Sequence, residues 1–244
     1  MNAIEIKGLC KSFGKKVAVD NIDLDVREGE LFGLLGVNGA GKTTTIRMLC
    51  CLSRPDSGDA KVCGYSIVNN STDVKSVIGI SPQETSVAPN LTVRENFEFM
   101  AGVWGADRAA ARQKADEMIA RFDMQSVQNN RAKTLSGGWQ RRLSIAMALI
   151  GQPRVLFLDE PTLGLDVLAR RELWNHIQSM KGNITMVLTT HYLEEIEALC
   201  DRVAIMVNGK VYAVGTVDEL KNTTATDSLE DAFVKISQQN GGAV

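Results

Sequence analysis

The sequence predicts an α/β fold: a buried sheet with an antiparallel β subdomain before it and a helical insertion within it. Three observations predict it. Short continuous apolar runs recur at Leu31–Leu35, Val155–Leu158, Ile184–Leu188 and Val203–Val207, the pattern of strands covered on both faces. Ile22, Leu24 and Val26 alternate with Asp23 and Asp25, the period of a half-buried antiparallel strand. Between Glu84 and Thr134 the apolar period lengthens to that of a helix.

Taken in order, the residues before Gly36 read as strands, and a Gly-rich loop then leads into a helix expected over Thr44–Leu52. In the insertion, Ala111, Ala115, Met118, Ile119 and Phe122 share one helical face, with Arg112, Lys114, Asp116 and Glu117 away from its centre. At about 1.5 Å per helical residue the segment is too short for a long coiled-coil arm. A further helix is expected over Gln140–Leu149. Asn208-Gly209 joins Val203–Val207 to Lys210–Val214 with a strong two-residue hairpin signal. After Thr223 the chain is polar apart from a helical stripe of Leu229, Phe233 and Ile236, which reads as a small C-terminal cap. The expected organisation is one domain over 1–222, its helical subdomain at about 84–150, and a short tail over 223–244.

A chain of 244 residues can bury one good α/β core. A formal charge of −2 gives no global drive toward nucleic acid or anionic lipid. No apolar run approaches the roughly 20 residues that span a bilayer, and no signal-peptide pattern opens the sequence, so a soluble chain is expected. The cysteines number five, an odd count without CxxC or Cys/His ligand spacing, and read as reduced, mostly buried thiols.

Gly36-Val37-Asn38-Gly39-Ala40-Gly41-Lys42-Thr43 fits the phosphate loop GxxxxGK[ST], with a buried strand before it and a helix after. Its glycines let backbone N–H groups converge on phosphate oxygens, and the helix points its positive end at the same anion. Lys42 is expected on the β- and γ-phosphates of ATP, the Thr43 hydroxyl on Mg²⁺, and Thr44 beside them. The core is then that of a P-loop NTPase. The strand Val155–Leu158 ends in Asp159-Glu160: Asp159 suits a second metal contact, and Glu160 suits a base that polarises the attacking water.

Leu135-Ser136-Gly137-Gly138-Trp139-Gln140-Arg141-Arg142 precedes that strand and resembles the LSGGQ signature of ABC ATPases. Other motifs of that family follow in family order. Gln83 in Ser81-Pro82-Gln83-Glu84 resembles the Q-loop, Gly164-Leu165-Asp166 the D-loop, and His191 in Thr189-Thr190-His191 the switch histidine. Phe13 in Lys11-Ser12-Phe13-Gly14 stands where the family places an aromatic against adenine. The resemblance covers nearly the whole chain. Trp139 departs from it, since Gln or Met is usual there, while Arg141-Arg142-Leu143-Ser144 keep the register. His176 has no motif around it and reads as structural.

The resemblance implies the ABC ATPase fold, with ATP and Mg²⁺ as cofactors and Glu160, His191 and Gln83 as catalytic groups. It places Thr43, Gln83 and Asp159 around the metal, and Leu135 to Trp139 in trans on ATP held by a second subunit, with Asp166 between the two. The implied partners are a second ABC ATPase subunit, in a homodimer or pseudo-dimer, and integral membrane permease subunits at the cytoplasmic face of the membrane. No nucleic-acid partner is implied. Gly164–Trp174, Gly215–Leu220 and Leu229–Phe233 resemble the ATPases of ABC-2-type exporters, which handle drugs, lipids, polysaccharides, sodium or haem-related cargo. The alternatives are an importer ATPase and a non-transport ABC ATPase. The latter usually carries tandem domains or long coiled-coil insertions, and this sequence has neither. A P-loop kinase or GTPase would leave the LSGG segment unexplained, and no NKxD guanine motif is present.

Overall fold

The computed structural model describes residues 1–241. Strands β1 (Asn2–Phe13), β2 (Lys16–Arg27), β4 (Ser57–Val62) and β5 (Tyr65–Ser66) form an antiparallel sheet in the order β2-β1-β4-β5. The alternation read in β2 is observed: Ile22, Leu24 and Val26 are buried. A second sheet holds β3 (Leu31–Leu35), β6 (Ile78–Ser81), β7 (Val155–Asp159), β8 (Thr185–Thr190), β9 (Arg202–Val207) and β10 (Lys210–Gly215), in the order β10-β9-β3-β8-β7-β6. Its pairings are parallel except for the β9–β10 hairpin. Asn208 and Gly209 turn that hairpin at φ 48° and 83°, the paired positive φ that a two-residue turn of this kind requires.

The helices are α1 (Lys42–Leu49), α2 (Ser71–Val77), α3 (Val93–Val103), α4 (Arg108–Arg121), α5 (Gly137–Ala148), α6 (Val167–Met180), α7 (Leu193–Leu199), α8 (Val217–Thr224) and α9 (Leu229–Gln239). Two of them differ from expectation in where they begin. α1 was expected from Thr44 and starts at Lys42, because the phosphate loop winds directly into its first turn. It also stops before Leu52. Cys51 takes φ 54°, and the N–H groups of Cys51 and Leu52 donate to the carbonyls of Met48 and Arg47 at 2.9 and 2.8 Å. This is a Schellman end with cysteine in the left-handed position that glycine usually marks. α5 was expected from Gln140 and starts at Gly137, so the glycines of the signature lie inside its first turn.

The insertion does not turn helical at Glu84. The chain from Pro82 to Thr92 is a loop pinned by the buried Asn96 side chain, which accepts the Ala88 N–H at 2.8 Å and donates to Thr92 O at 2.8 Å. Beyond it, Ala111, Ala115, Ile119 and Phe122 are buried and Met118 is partly so. His176 on α6 stacks on Phe122 with ring centroids 5.3 Å apart, and burial holds its pKa below the usual histidine value.

Alternate residues of β7 serve two cores. Val155 and Phe157 join Phe32, Ile46 and the antiparallel sheet, whereas Leu156 and Leu158 join Phe97, Ala115 and Phe122 of the insertion and Leu173 and Ile177 of α6. A third cluster packs Leu220 of α8 and Leu229 and Ile236 of α9 against Leu35, Val203 and Ile205. The position 222/223 lies inside α8.

Candidate nucleotide site

Between β3 and α1 the chain turns through the phosphate loop. Gly41 sits at φ 107°, and a Cβ there would come 2.5 Å from Ala18 O, so only glycine is accommodated. No side chain caps α1 and no acidic residue occupies its first turn, which leaves its N-terminal donors to an anion. Lys42 is buried; its Nζ donates to Gly36 O at 2.6 Å and Val37 O at 3.3 Å and lies 3.4 Å from Glu160 Oε1. Burial pushes its pKa below the ordinary lysine value, and the charges of Glu160 and Asp159 oppose that shift. A cavity of about 370 Å³ opens here, lined by Asn38, Gly39, Ala40, Gly41, Lys42, Thr43 and Thr44 together with Phe13, Gln83 and Glu160. Gly36 and Val37 hold Lys42 through their carbonyls from outside this lining. Phe13, at the end of β1, is 57% exposed, so packing within the chain does not explain the ring.

Asp159 closes β7 and accepts the hydroxyls of Thr43 at 3.1 Å and Thr189 at 2.5 Å. Glu160 follows in the left-handed region at φ 47°, a conformation that costs a residue other than glycine about 1–3 kcal/mol. Its N–H donates to Thr189 Oγ1 at 3.0 Å and Thr189 O at 3.1 Å, which holds the turn. The Glu160 carboxylate is thereby set between Lys42 and His191. His191 Nδ1 lies 3.0 Å from Glu160 Oε2, near enough for an ion pair but off the line of a hydrogen bond. The buried Arg141 guanidinium donates to Pro82 O at 2.6 Å and to Gln83 O, fixing the loop that presents Gln83.

The signature lies elsewhere. Ser136 occupies the N-cap of α5, yet its hydroxyl caps nothing, whereas α3, α4, α6, α8 and α9 are each capped by their own side chain. A Cβ at Gly137 would meet nothing within 4 Å, while one at Gly138 would come 2.9 Å from Ala169 Cβ. The second glycine is explained by contact with α6, and the first is not explained by anything in this chain. Leu135 is buried beneath the turn. Trp139 packs against the insertion core, with the Arg142 guanidinium 4.4 Å from its ring centroid. Asp166 caps α6, accepting the N–H groups of Leu168 at 3.0 Å and Ala169 at 2.9 Å. Ser136, Gly138, Trp139 and Asp166 line a second cavity of about 240 Å³ that shares no lining residue with the first. Within one chain the expected site residues therefore fall into two separate groups.

Several contributors escaped the sequence reading: Thr189, which donates to the Asp159 carboxylate and holds the Glu160 backbone, Arg141, which holds the Gln83 loop, and Asn96, which pins the loop after it. The available signals were a hydroxyl ending an otherwise apolar strand and a charged side chain on the inward side of a helix.

The separation of the two groups sets an expectation for Trp139. Replacing it with Gln removes a cation–π contact worth about 0.5–1 kcal/mol, so Trp139→Gln should keep ATP hydrolysis within about fivefold of wild type. Gly137→Asp should reduce it at least about a hundredfold, since like charges about 4 Å apart near a protein surface repel by about 4 kcal/mol. Steady-state turnover of both variants at equal, high protein concentration checks this; equal loss in both would place the indole in the site.

A phosphate loop between a buried parallel strand and a helix, facing a carboxylate pair in the same sheet, defines a P-loop nucleotide hydrolase. The ABC transporter family model matches residues 19–163, and the chain belongs to that family as one of its ATP-binding, ATP-hydrolysing members. It is 42% identical over 243 residues to the daunorubicin resistance ATP-binding protein DrrA3 of Streptomyces coeruleorubidus, covering 99% of this chain and 77% of that one. It is 38% identical to the Nod factor export ATP-binding protein I of Ralstonia nicotianae, covering 89% of this chain and 68% of that one. With the probable multidrug ABC transporter ATP-binding protein YbhF of Escherichia coli it shares 41% identity over 96% of its own length, but spans only 41% of that relative. Among solved structures, an ATP-binding subunit of an ABC transporter superposes with a TM-score of 0.85 at 26% identity, covering 96% of this chain and 99% of that one.

Proposed function

We propose that this ATPase drives export through membrane subunits by closing head to tail on a second ATPase subunit, with ATP between them. The observation that carries this reading is the split site. One cavity holds the phosphate loop, and the other holds a helix N-terminus with an unused Ser136 hydroxyl and open space at Gly137. The second is suited to an anion supplied by another molecule. In the closed pair, Lys42 exchanges its carbonyl partners for phosphate oxygens and Phe13 offers its face to the base. Glu160 orients and deprotonates water, with His191 alongside.

The donors fit Mg²⁺. Thr43 and Asp159 present adjacent oxygens, Gln83 lines the same cavity, and this is the partial set that Mg²⁺ completes with phosphate and water oxygens. When bound there, Mg²⁺ supplies positive charge to the transferred phosphoryl group.

Export is supported by relatives whose names denote drug resistance and Nod factor export. No helix of the described residues is long and apolar enough to cross a membrane. An apolar groove of about 240 Å³ beside the loop after Gln83, lined by Leu52, Ile80, Met100, Trp104 and Met147, suits a segment of a membrane subunit at the cytoplasmic face. Leu52 on its edge is 57% exposed, so Leu52→Asp should fold normally. The tagged chain, recovered from detergent-solubilised membranes, should bring an integral membrane subunit with it. Leu52→Asp should lower that recovery about tenfold, because a carboxylate would face the apolar surface of the partner, without changing ATP binding. Equal recovery by both forms would remove the groove from this account.

A further inference from the structure

Glu195, on α7 shortly after His191, is 0% exposed. Its Oε1 accepts the Trp174 indole N–H at 3.3 Å, while its Oε2 is buried without a hydrogen-bond partner, and so is the Oγ1 of Thr162. The hydroxyls of Thr162 and Thr190 both approach this carboxyl, although neither is aligned on it in a hydrogen bond. A buried carboxyl with an open oxygen is costly and calls for an explanation.

Its neighbours supply one. Thr162 lies in the loop between Glu160 and Asp166, Thr190 immediately precedes His191, and Trp174 belongs to α6, the helix that Asp166 caps. Three segments that carry proposed site residues therefore converge on one side chain. Arg170 reinforces the arrangement from outside: its guanidinium lies 5.7 Å from the Trp174 ring and 6.0 Å from the Tyr192 ring, and the Tyr192 ring lies 4.2 Å from that of His191.

We propose that Glu195 is a positioning residue whose carboxyl ties the Glu160 loop, the His191 loop and α6 together, keeping His191 beside Glu160 and Asp166 at the head of α6. Burial pushes the Glu195 pKa up, against the nearby hydroxyls of Thr190 and Thr162, the Trp174 N–H and the Arg170 charge, which pull it down. A proton on Oε2 would offer Thr162 Oγ1 a donor after a small shift, while Oε1 still accepts from Trp174. Glutamine has the same shape and the same donor–acceptor pair, so it should substitute; alanine should not.

This inference rests on the roles proposed for Glu160 and His191. The test measures ATP turnover and, with a fluorescent ATP analogue, nucleotide affinity for Glu195→Ala, Glu195→Gln and Thr162→Val, with Glu160→Gln and His191→Ala as controls. Glu195→Ala and Thr162→Val should lower kcat about tenfold with affinity within about twofold, the signature of lost transition-state positioning. Glu195→Gln should stay within about threefold of wild type, since it keeps the acceptor for Trp174 and places an N–H donor toward Thr162. Thr162→Val is nearly isosteric, which guards against a result that merely reflects a misfolded alanine variant. Wild-type kcat in Glu195→Ala and Thr162→Val, a Gln variant as impaired as Ala, or affinity lost in step with kcat would each overturn the proposal. Active controls would overturn the Glu160 and His191 roles and this inference with them; inactive controls beside an active Glu195→Ala would overturn this inference alone.

Discussion

Glu160→Gln should bind ATP, hold it, and accumulate as a dimer, with turnover reduced about 10²–10⁴-fold, the usual contribution of a positioned general base. The amide has the shape of the carboxylate but cannot take a proton from water. The backbone need not change, because the turn at φ 47° is held through the Glu160 N–H and Thr189, not through the replaced carboxylate. Lys42 loses one partner at 3.4 Å but keeps the carbonyls of Gly36 and Val37 until phosphate displaces them. Size-exclusion chromatography with ATP and Mg²⁺ checks the result. A variant that elutes only as monomer at high protein and ATP would refute the closed pair.

Lys42→Ala should fail at the earlier step. Lys16 also lines the cavity, but Lys42 is the buried ammonium 3.4 Å from Glu160, and its loss removes hydrogen bonds to a charged ligand, each worth about 1.5–3 kcal/mol. ATP affinity should therefore fall roughly 10–100-fold and hydrolysis with it, as read by calorimetric titration and phosphate release. Folding should suffer less, because wild-type Lys42 already carries a desolvation cost that the variant escapes. The two variants thus separate binding from chemistry: one retains nucleotide without turning over, the other does neither. Wild-type affinity and turnover in Lys42→Ala would end the phosphate-loop reading.

The parts of this molecule that were legible in the sequence are those governed by local rules. The run Leu31–Leu35, the alternation of Ile22, Leu24 and Val26, and Asn208-Gly209 each declare a conformation through periodicity or turn chemistry, and each appears where expected. The phosphate loop is legible for the same reason, since its glycines and Lys42 are contiguous. What stayed hidden depends on contacts between distant segments. Cys51 gives no sign that it will end α1 in a left-handed turn, because that position is ordinarily glycine. Asn96 and Arg141 look like solvated helix residues until the loop they hold is folded against them. Glu195 reads as one acid among several in Glu194-Glu195-Ile196-Glu197, and only tertiary packing sets it apart. The two-group division of the site was available only as an implication of family likeness; its physical basis is the idle Ser136 hydroxyl and the empty space at Gly137.

The sharing of β7 between two cores has a consequence for how such a protein can diversify. Leu156 and Leu158 belong to the same packed cluster as Phe97 and Phe122, so the helical insertion owns no interior that it could carry away intact. It cannot be exchanged as a cassette within a cassette, because a foreign insertion would have to match the underside of the strand that ends in Asp159 and leads into Glu160. Adaptation to a new partner at the proposed docking groove is thereby confined to the exposed rim, where Leu52, Phe99, Val103 and Trp104 can change one at a time without disturbing the strand beneath. The strand that ends in Asp159 and the exposed rim are thus welded mechanically yet free to evolve at different rates.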